Sequence, residues 1–204
     1  IIIKNKDDFL RGTPRLIRQL WSIKYDIIVD VRTDGLAYLL RGKKKYTKFF
    51  ASSYGEHAVE DLMGVIYDLH KNEPIPDTVI WLSEQERKNA QKKLSAFLEN
   101  DKLLAICVGD IRRPVKCWSA DKFIKLLNSQ NDKFSGVIFT GGEQDAERTE
   151  DVASKIKLPH INTINSSLLE TAAFLEKAII YIGPDSGVGH IASAVKTPTI
   201  SLFS

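Results

Sequence analysis

The chain is short of the residues from which covalent or metal scaffolds are built. Its two cysteines, Cys107 and Cys117, are too few for a disulfide framework and show no metal-ligand spacing. Cys107 lies in an apolar run and reads as a small core residue, and the sparse usage fits a reducing compartment. A dominant charge is lacking too. Against 29 basic side chains stand 26 acidic ones, a net charge of +3, which is too mild for the clustered basic face that nucleic acid requires. No apolar run approaches the roughly 18 residues of a membrane span, and no signal-peptide pattern opens the chain. The G-x-G-x-x-G fingerprint is absent as well, which argues against an NAD-dependent oxidoreductase. There is no Ser-His-Asp order, no pair of catalytic carboxylates, no metal cluster, no internal repeat and no low-complexity segment.

What is present is an ordinary globular composition, 43% hydrophobic and 27% charged over 204 residues, enough for one large α/β domain or two small ones. Apolar runs alternate with helical patterns, the signature of parallel sheets with crossover helices. Strands are expected at Tyr25 to Val31, Thr78 to Leu82, Leu103 to Val108, Val137 to Thr140, near Ile161, at Ile179 to Gly183 and at Pro198 to Phe203. A turn is expected at Thr33-Asp34-Gly35. Ser83 with Glu86 and Ser167 with Glu170 have the spacing of capping boxes, in which two N–H groups at a helix start are satisfied reciprocally. The first opens a helix with Ala90, Leu94, Phe97 and Leu98 on one face; the second opens the Leu168–Ala178 helix. Ser119 is the expected cap of a helix carrying Phe123, Ile124, Leu126 and Leu127. Further helices are expected over Asp145 to Lys155 and Val188 to Val195. A domain boundary is placed near residues 99–102, dividing residues 1–99 from 100–204. Ile1-Ile2-Ile3 reads as a strand entered midway, and nothing follows Ser204 to use the C-terminal edge of the Pro198 to Phe203 strand, so the chain is expected to be a piece of a longer protein.

In a parallel sheet, ligands sit beyond the carboxyl ends of the strands, and three loops of the second half meet that description. The loop Asp185-Ser186-Gly187-Val188-Gly189-His190 has glycines that let the backbone turn and approach a ligand. A helix follows whose free N–H groups and partial positive end favour an anion. The plainer alternative is that Asp185 or Ser186 only caps that helix and His190 is a surface residue. The loop Gly109 to Trp118 places three cations, Arg112, Arg113 and Lys116, within five residues; Lys116 could neutralise a diphosphate leaving group and Trp118 could anchor the loop, or the loop is a solvated basic one. The loop Thr140-Gly141-Gly142-Glu143-Gln144-Asp145 offers carboxylates to ribose hydroxyls, unless Asp145 merely favours a helix start. In the first half, His57 begins a helical face with Leu62, Val65, Ile66 and Leu69 and reads as structural. Lys43-Lys44-Lys45 with Lys48 reads as a solvated charge run that could meet an acidic glycolipid.

Residues 182–203, IGPDSGVGHIASAVKTPTISLF, resemble the D-[ST]-G-x-x-H segment, alanine-rich helix and Thr-Pro turn of glycosyltransferase family 9, the ADP-heptose:lipopolysaccharide heptosyltransferases. Lys116-Cys117-Trp118-Ser119-Ala120-Asp121-Lys122-Phe123 is similar to the family's K-x-W-P-x-x-x-[FW] segment. Thr140 to Glu143, Ser166 to Ala178, Tyr25 to Asp30 and His57 to Glu60 fall in the family's order. The resemblance implies an α/β fold of the GT-B type, two Rossmann-like domains facing across a cleft, with no metal or other cofactor required. It implies a nucleotide-sugar donor, specifically an ADP-sugar, held by the second domain, and a lipopolysaccharide inner-core acceptor. The work would be done in the cytoplasm at the inner face of the inner membrane, with peripheral contact to it.

Carried over by motif, Lys116, Asp185 and His190 would be catalytic. Lys116 and the Ser186, Gly187 and Val188 backbone would hold the diphosphate, with Asp185 and His190 by the phosphates and sugar. Thr140 and Gly141 belong to the donor-binding loop, and Glu143 or Asp145 would meet the ribose. The implied chemistry is inverting glycosyl transfer, with a carboxylate base taking the acceptor proton. The sequence departs from the family in three places. No Gly-Asp follows a first strand of the first domain, where that base is expected; Asp61 replaces the arginine after H-A-V-[DE]; and the loop from Gly109 to Lys116 is slightly long. Transfer of a different sugar, or nucleotide binding without catalysis, are the alternative functions.

Overall fold

The computed structural model describes residues 9–31, 35–50, 58–70, 73–97, 101–110 and 117–203, and the chain divides into two compact units, Ile1–Pro76 and Asp77–Ser204. His57, Thr33, Asp34, Leu98, Arg112, Arg113, Lys116 and the Ile1-Ile2-Ile3 run lie outside the described residues.

In the first unit, helix α1 (Phe9–Trp21), strand β1 (Tyr25–Asp30), helix α2 (Leu36–Leu39), strand β2 (Gly42–Thr47) and helices α3 (Ala58–Gly64) and α4 (Tyr67–His70) follow in order. β1 and β2 pair in parallel, Tyr25 opposite Gly42 and Asp30 opposite Thr47. The lysine run is therefore a strand as well as a solvated surface. Lys43 and Lys44 are exposed, while the Lys43 ammonium donates to Asp26 Oδ1 of β1 at 2.6 Å. The apolar face expected from Leu62 to Leu69 is split. α3 ends at Gly64, leaving Val65 buried but Leu62 and Leu69 exposed.

The second unit is a five-stranded parallel sheet in the order β5-β4-β3-β6-β7. Its strands are β3 (Leu103–Ile106), β4 (Gly136–Phe139), β5 (His160–Asn162), β6 (Ile180–Pro184) and β7 (Thr199–Leu202). Its helices are α5 (Glu84–Lys93), α6 (Ala120–Ser129), α7 (Ala146–Ala153), α8 (Leu168–Glu176) and α9 (Gly187–Ala194). Successive residues of a strand point to opposite faces, and here both faces are covered. Leu103, Ala105 and Cys107 join a cluster with Ala90, Leu94, the Ala172–Leu175 stretch of α8 and Ala192 of α9. Leu104, Ile106 and Val108 join another with Phe123 and Leu127 of α6 and Val152 of α7. That is why these strands read as unbroken apolar runs rather than alternating ones. Complete burial of Phe123 and Leu127 contributes about 1.5–3 kcal/mol each.

Both capping boxes form. The Ser83 hydroxyl accepts from Glu86 N at 3.3 Å while Ser83 N donates to the Glu86 carboxylate at 2.6 Å, and Ser167 and Glu170 repeat the exchange. Ser119 occupies the N-cap of α6 without a side-chain cap bond. Thr78 to Leu82 forms no strand. The segment pairs with no strand among the described residues, and its Trp81 is 86% exposed. The division between units falls at Pro76/Asp77, ahead of the boundary expected at 99–102, because α5 docks on α8. Arg87 makes a two-pronged pair with Glu176 at 2.9 and 3.0 Å, Lys93 meets Glu170 at 3.0 Å, and Asp77 itself pairs with Lys196 at 2.6 Å.

Candidate functional site

The strand order reverses at β3. The chain moves outward through β4 and β5, then returns to place β6 on the other side of β3. Loops leaving β3 and β6 therefore diverge and open a crevice at their carboxyl ends, the position where such sheets bind ligands. A cleft of about 540 Å³ lies there. Cys107, Gly109, Asp110 and Cys117 wall it from the β3 side, Gly142, Gln144 and Asp145 from the β4 loop, and Pro184, Asp185, Ser186, Gly187 and Val188 from the β6 loop; Leu168 and Ile191 complete it.

Ser186 is the N-cap residue of α9, yet its side chain makes no capping bond. Its Oγ, shielded from solvent, has no hydrogen-bond partner among the described residues. The plain-cap reading of this loop thus fails for the hydroxyl. A Cβ on Gly187 would meet nothing within 4 Å, so the backbone there is bare toward open space. Gly183 and Gly189 face Tyr181 instead. Both have ordinary φ; a Cβ at Gly183 would overlap the Tyr181 hydroxyl, and one at Gly189 would lie 3.5 Å from the Tyr181 ring. Gly183 makes room for a tyrosine, whereas at Gly189 a methyl group would be in ordinary contact with that ring. Asp185 is exposed and on the cleft. His190 is exposed and is not part of the lining.

In the β4 loop, Gly142 N donates to Asp145 Oδ2 at 2.8 Å, which folds the loop back on itself ahead of α7. Asp145 is buried and lines the cleft, whereas Glu143 is exposed and does not. Thr140 is fully buried with its hydroxyl unpartnered among the described residues, and neither it nor Gly141 reaches the lining. The β3 loop turns at Gly109, whose φ of 85° favours glycine. Trp118 packs inward, 5.8 Å from the Phe123 ring, with its carbonyl accepting from the Arg148 guanidinium. Lys116 precedes this anchored segment but lies outside the described residues.

Cys107 is the core residue its apolar run indicated, and it also floors the cleft. Burial, then the nearby Asp145 charge, push its thiol up to about 12. Burial likewise raises the Tyr181 phenol above its usual range, so both groups stay protonated at neutral pH. The cleft residues to which the sequence gave no site role are Gly109, Asp110, Gly142, Gln144, Leu168, Pro184, Ile191 and the two thiols. Leu168, 74% exposed at the first turn of α8, carried a usable signal: a leucine directly behind a capping serine has no core to enter.

A parallel α/β unit with a loop-lined crevice at its switch point defines a Rossmann-like ligand-binding domain. The chain belongs to glycosyltransferase family 9 (heptosyltransferase), whose sequence profile matches residues 32–204. It is 28% identical to lipopolysaccharide heptosyltransferase 3 of Escherichia coli K12, a match covering 96% of this chain and 63% of that protein. The chain thus spans less than two thirds of that relative's length. Among solved structures it is similar to a glycosyl transferase family 9 protein from Veillonella parvula, with TM-score 0.80, 20% identity, and 98% and 63% of the two chains covered. It is also similar to E. coli ADP-heptose LPS heptosyltransferase II, with TM-score 0.75, 15% identity, and 96% and 67% covered. These likenesses establish the fold as α/β with parallel sheets, of the GT-B type. Among the described residues no helix is long and apolar enough to cross a membrane.

Proposed function

We propose that this chain is the donor-binding part of an inverting glycosyltransferase that moves a heptose from an ADP-activated donor to a lipopolysaccharide core acceptor. The observation carrying the reading is the start of α9, where an uncapped helix terminus, an unengaged Ser186 hydroxyl and a bare Gly187 face one cleft. Such a terminus favours an anion by about 0.3–1 kcal/mol per interaction, and its backbone N–H groups suit phosphate oxygens. Heptose and lipopolysaccharide are the sugar and acceptor of the similar E. coli heptosyltransferases.

In this reading the diphosphate lies against Ser186, Gly187 and Val188, with Lys116 as its counter-charge. Asp185 stands at the phosphate and sugar end, and His190 borders the approach to it from outside the lining. Asp145, the carboxylate on the cleft wall, takes the ribose end in preference to Glu143. An acceptor hydroxyl attacks the anomeric carbon from the face opposite the diphosphate. The bond from that carbon to the β-phosphate oxygen breaks, its electron pair leaving with the nucleoside diphosphate. The acceptor proton passes to a carboxylate base. Charge growing on the leaving group is stabilised by Lys116 and the α9 terminus, fixed dipoles that need no reorganisation as the bond breaks. Positive charge from these two sources lets the step proceed without a metal. The acceptor's lipid anchor brings the enzyme to the cytoplasmic face of the inner membrane as a peripheral protein.

The test is Lys116→Ala and Asp185→Asn in the full-length protein. Both should lower turnover with ADP-heptose, and Lys116→Ala should also weaken ADP binding. Unchanged donor affinity and turnover in both would overturn the assignment.

A further inference from the structure

Tyr181 lies beneath the donor loop and has no part in the donor contacts proposed so far. It is fully buried on β6, yet its hydroxyl has no hydrogen-bond partner among the described residues. Leaving a buried hydroxyl unsatisfied is destabilising, so its presence here needs a reason. The surroundings are shaped for it. The bare faces of Gly183 on β6 and Gly189 on α9 both turn toward the Tyr181 side chain, the first toward its hydroxyl and the second toward its ring. A methyl group at Gly183 would also press on Cys107, 3.1 Å from its Cβ. The phenol therefore points into a corner formed by Cys107 and the turn that carries Ser186.

The second orphan is in the same corner. Ser186 Oγ is shielded from solvent and unpartnered among the described residues, and it lies near enough to Tyr181 to favour the phenol's ionised form, though burial outweighs that and keeps the proton on. Two buried hydroxyls that lack a well-formed bond among the described residues, one of them on the cleft wall, would both be satisfied by a bond between them and one external acceptor.

We propose that Tyr181 is a positioning residue for the donor diphosphate: its hydroxyl donates to Ser186 Oγ, which turns its own proton toward a phosphate oxygen at the start of α9. The inference rests on the donor-site reading. A protonated phenol suits the role, since it must donate, and a chain of two hydrogen bonds ending on an anion polarises each member.

The experiment is a double-mutant cycle of Tyr181→Phe and Ser186→Ala in the full-length protein, titrated with ADP by calorimetry and melted in urea. Tyr181→Phe should weaken ADP binding by about three- to tenfold, the worth of one hydrogen bond. It should leave the urea midpoint unchanged or raised, because an unsatisfied hydroxyl has gone. In the Ser186→Ala background the same change should cost nothing more. Wild-type affinity in Tyr181→Phe, or losses that simply add in the double variant, overturn the positioning role while leaving the donor site standing. A wild-type protein that binds no nucleoside diphosphate at all sinks the donor reading itself.

Discussion

The amide of Gly142 donates to the carboxylate of Asp145 across 2.8 Å, and this contact separates two acidic residues that stand two positions apart in the sequence. Asp145 ties the β4 loop and walls the cleft; Glu143 stands beside it, outside the lining. Asp145→Ala leaves a loop amide without its acceptor, at about 1–3 kcal/mol. It should therefore lower the urea midpoint and ADP affinity together. Glu143→Gln should leave the urea midpoint unchanged and ADP affinity within about twofold, as surface changes do. Calorimetry and urea melts on the two variants decide the matter, and the opposite ranking would return the ribose to Glu143.

Gly187→Ala separates stability from binding. The added methyl meets no protein atom within 4 Å and sits at the first residue of a helix, so stability should rise by up to about 0.5–1 kcal/mol. The same methyl intrudes where the diphosphate backbone contact is proposed. ADP affinity should fall by at least about tenfold, the range of an overpacked contact.

The two thiols should differ in reactivity. Cys117 is partly exposed on the cleft wall, while Cys107 is 2% exposed and holds its proton up to about pH 12. Only thiolates attack alkylating agents at a useful rate. Iodoacetamide at pH 8 should modify Cys117 alone, ADP should slow that reaction, and Cys107 should label only after unfolding. Mass spectrometry of the digested protein reads each site.

Cys107 also sets a pH dependence of stability. A thiol free in water ionises near 9.0, and folding pushes this one up to about 12. Between these values the unfolded chain binds fewer protons than the folded one, so stability falls as pH rises, with a slope of up to about 1.4 kcal/mol per pH unit. The contribution is fully present below about pH 9. Tyr181, also raised by burial, acts in the same direction. In urea melts from pH 8 to 11, Cys107→Ala should show a shallower decline than wild type, whatever its stability at pH 8.

The parts of this structure legible from sequence are those where one local rule decides. Serine and glutamate three apart mark both capping boxes, and the apolar runs of β3, β4 and β6 require a sheet covered on both faces. The β2 strand is obscured because its lysines resemble a solvated run, and its strand character comes from β1 alongside it. Thr78 to Leu82 shows the converse, a strand-like pattern that pairs with no strand among the described residues. The unit boundary precedes the expected one because α5 belongs to the second unit through α8, a contact that no local pattern carries. Of the site, Asp185 to Val188 and Asp145 fall on the cleft as motif spacing suggests. Thr140, Gly141, Glu143 and His190 do not line it, because only the fold decides which side of a loop turns inward. Gly183 carries the same lesson: its bare face serves Tyr181.

Whether the start of α9 grips the diphosphate of an adenine nucleotide is settled by a calorimetric titration of ADP, UDP, GDP, CDP and adenosine into the full-length protein and its Gly187→Ala variant. ADP should bind most tightly, adenosine far more weakly, and Gly187→Ala should remove most of the difference between them. Adenosine binding as tightly as ADP, or ADP affinity untouched by Gly187→Ala, would be incompatible with a diphosphate grip at this helix.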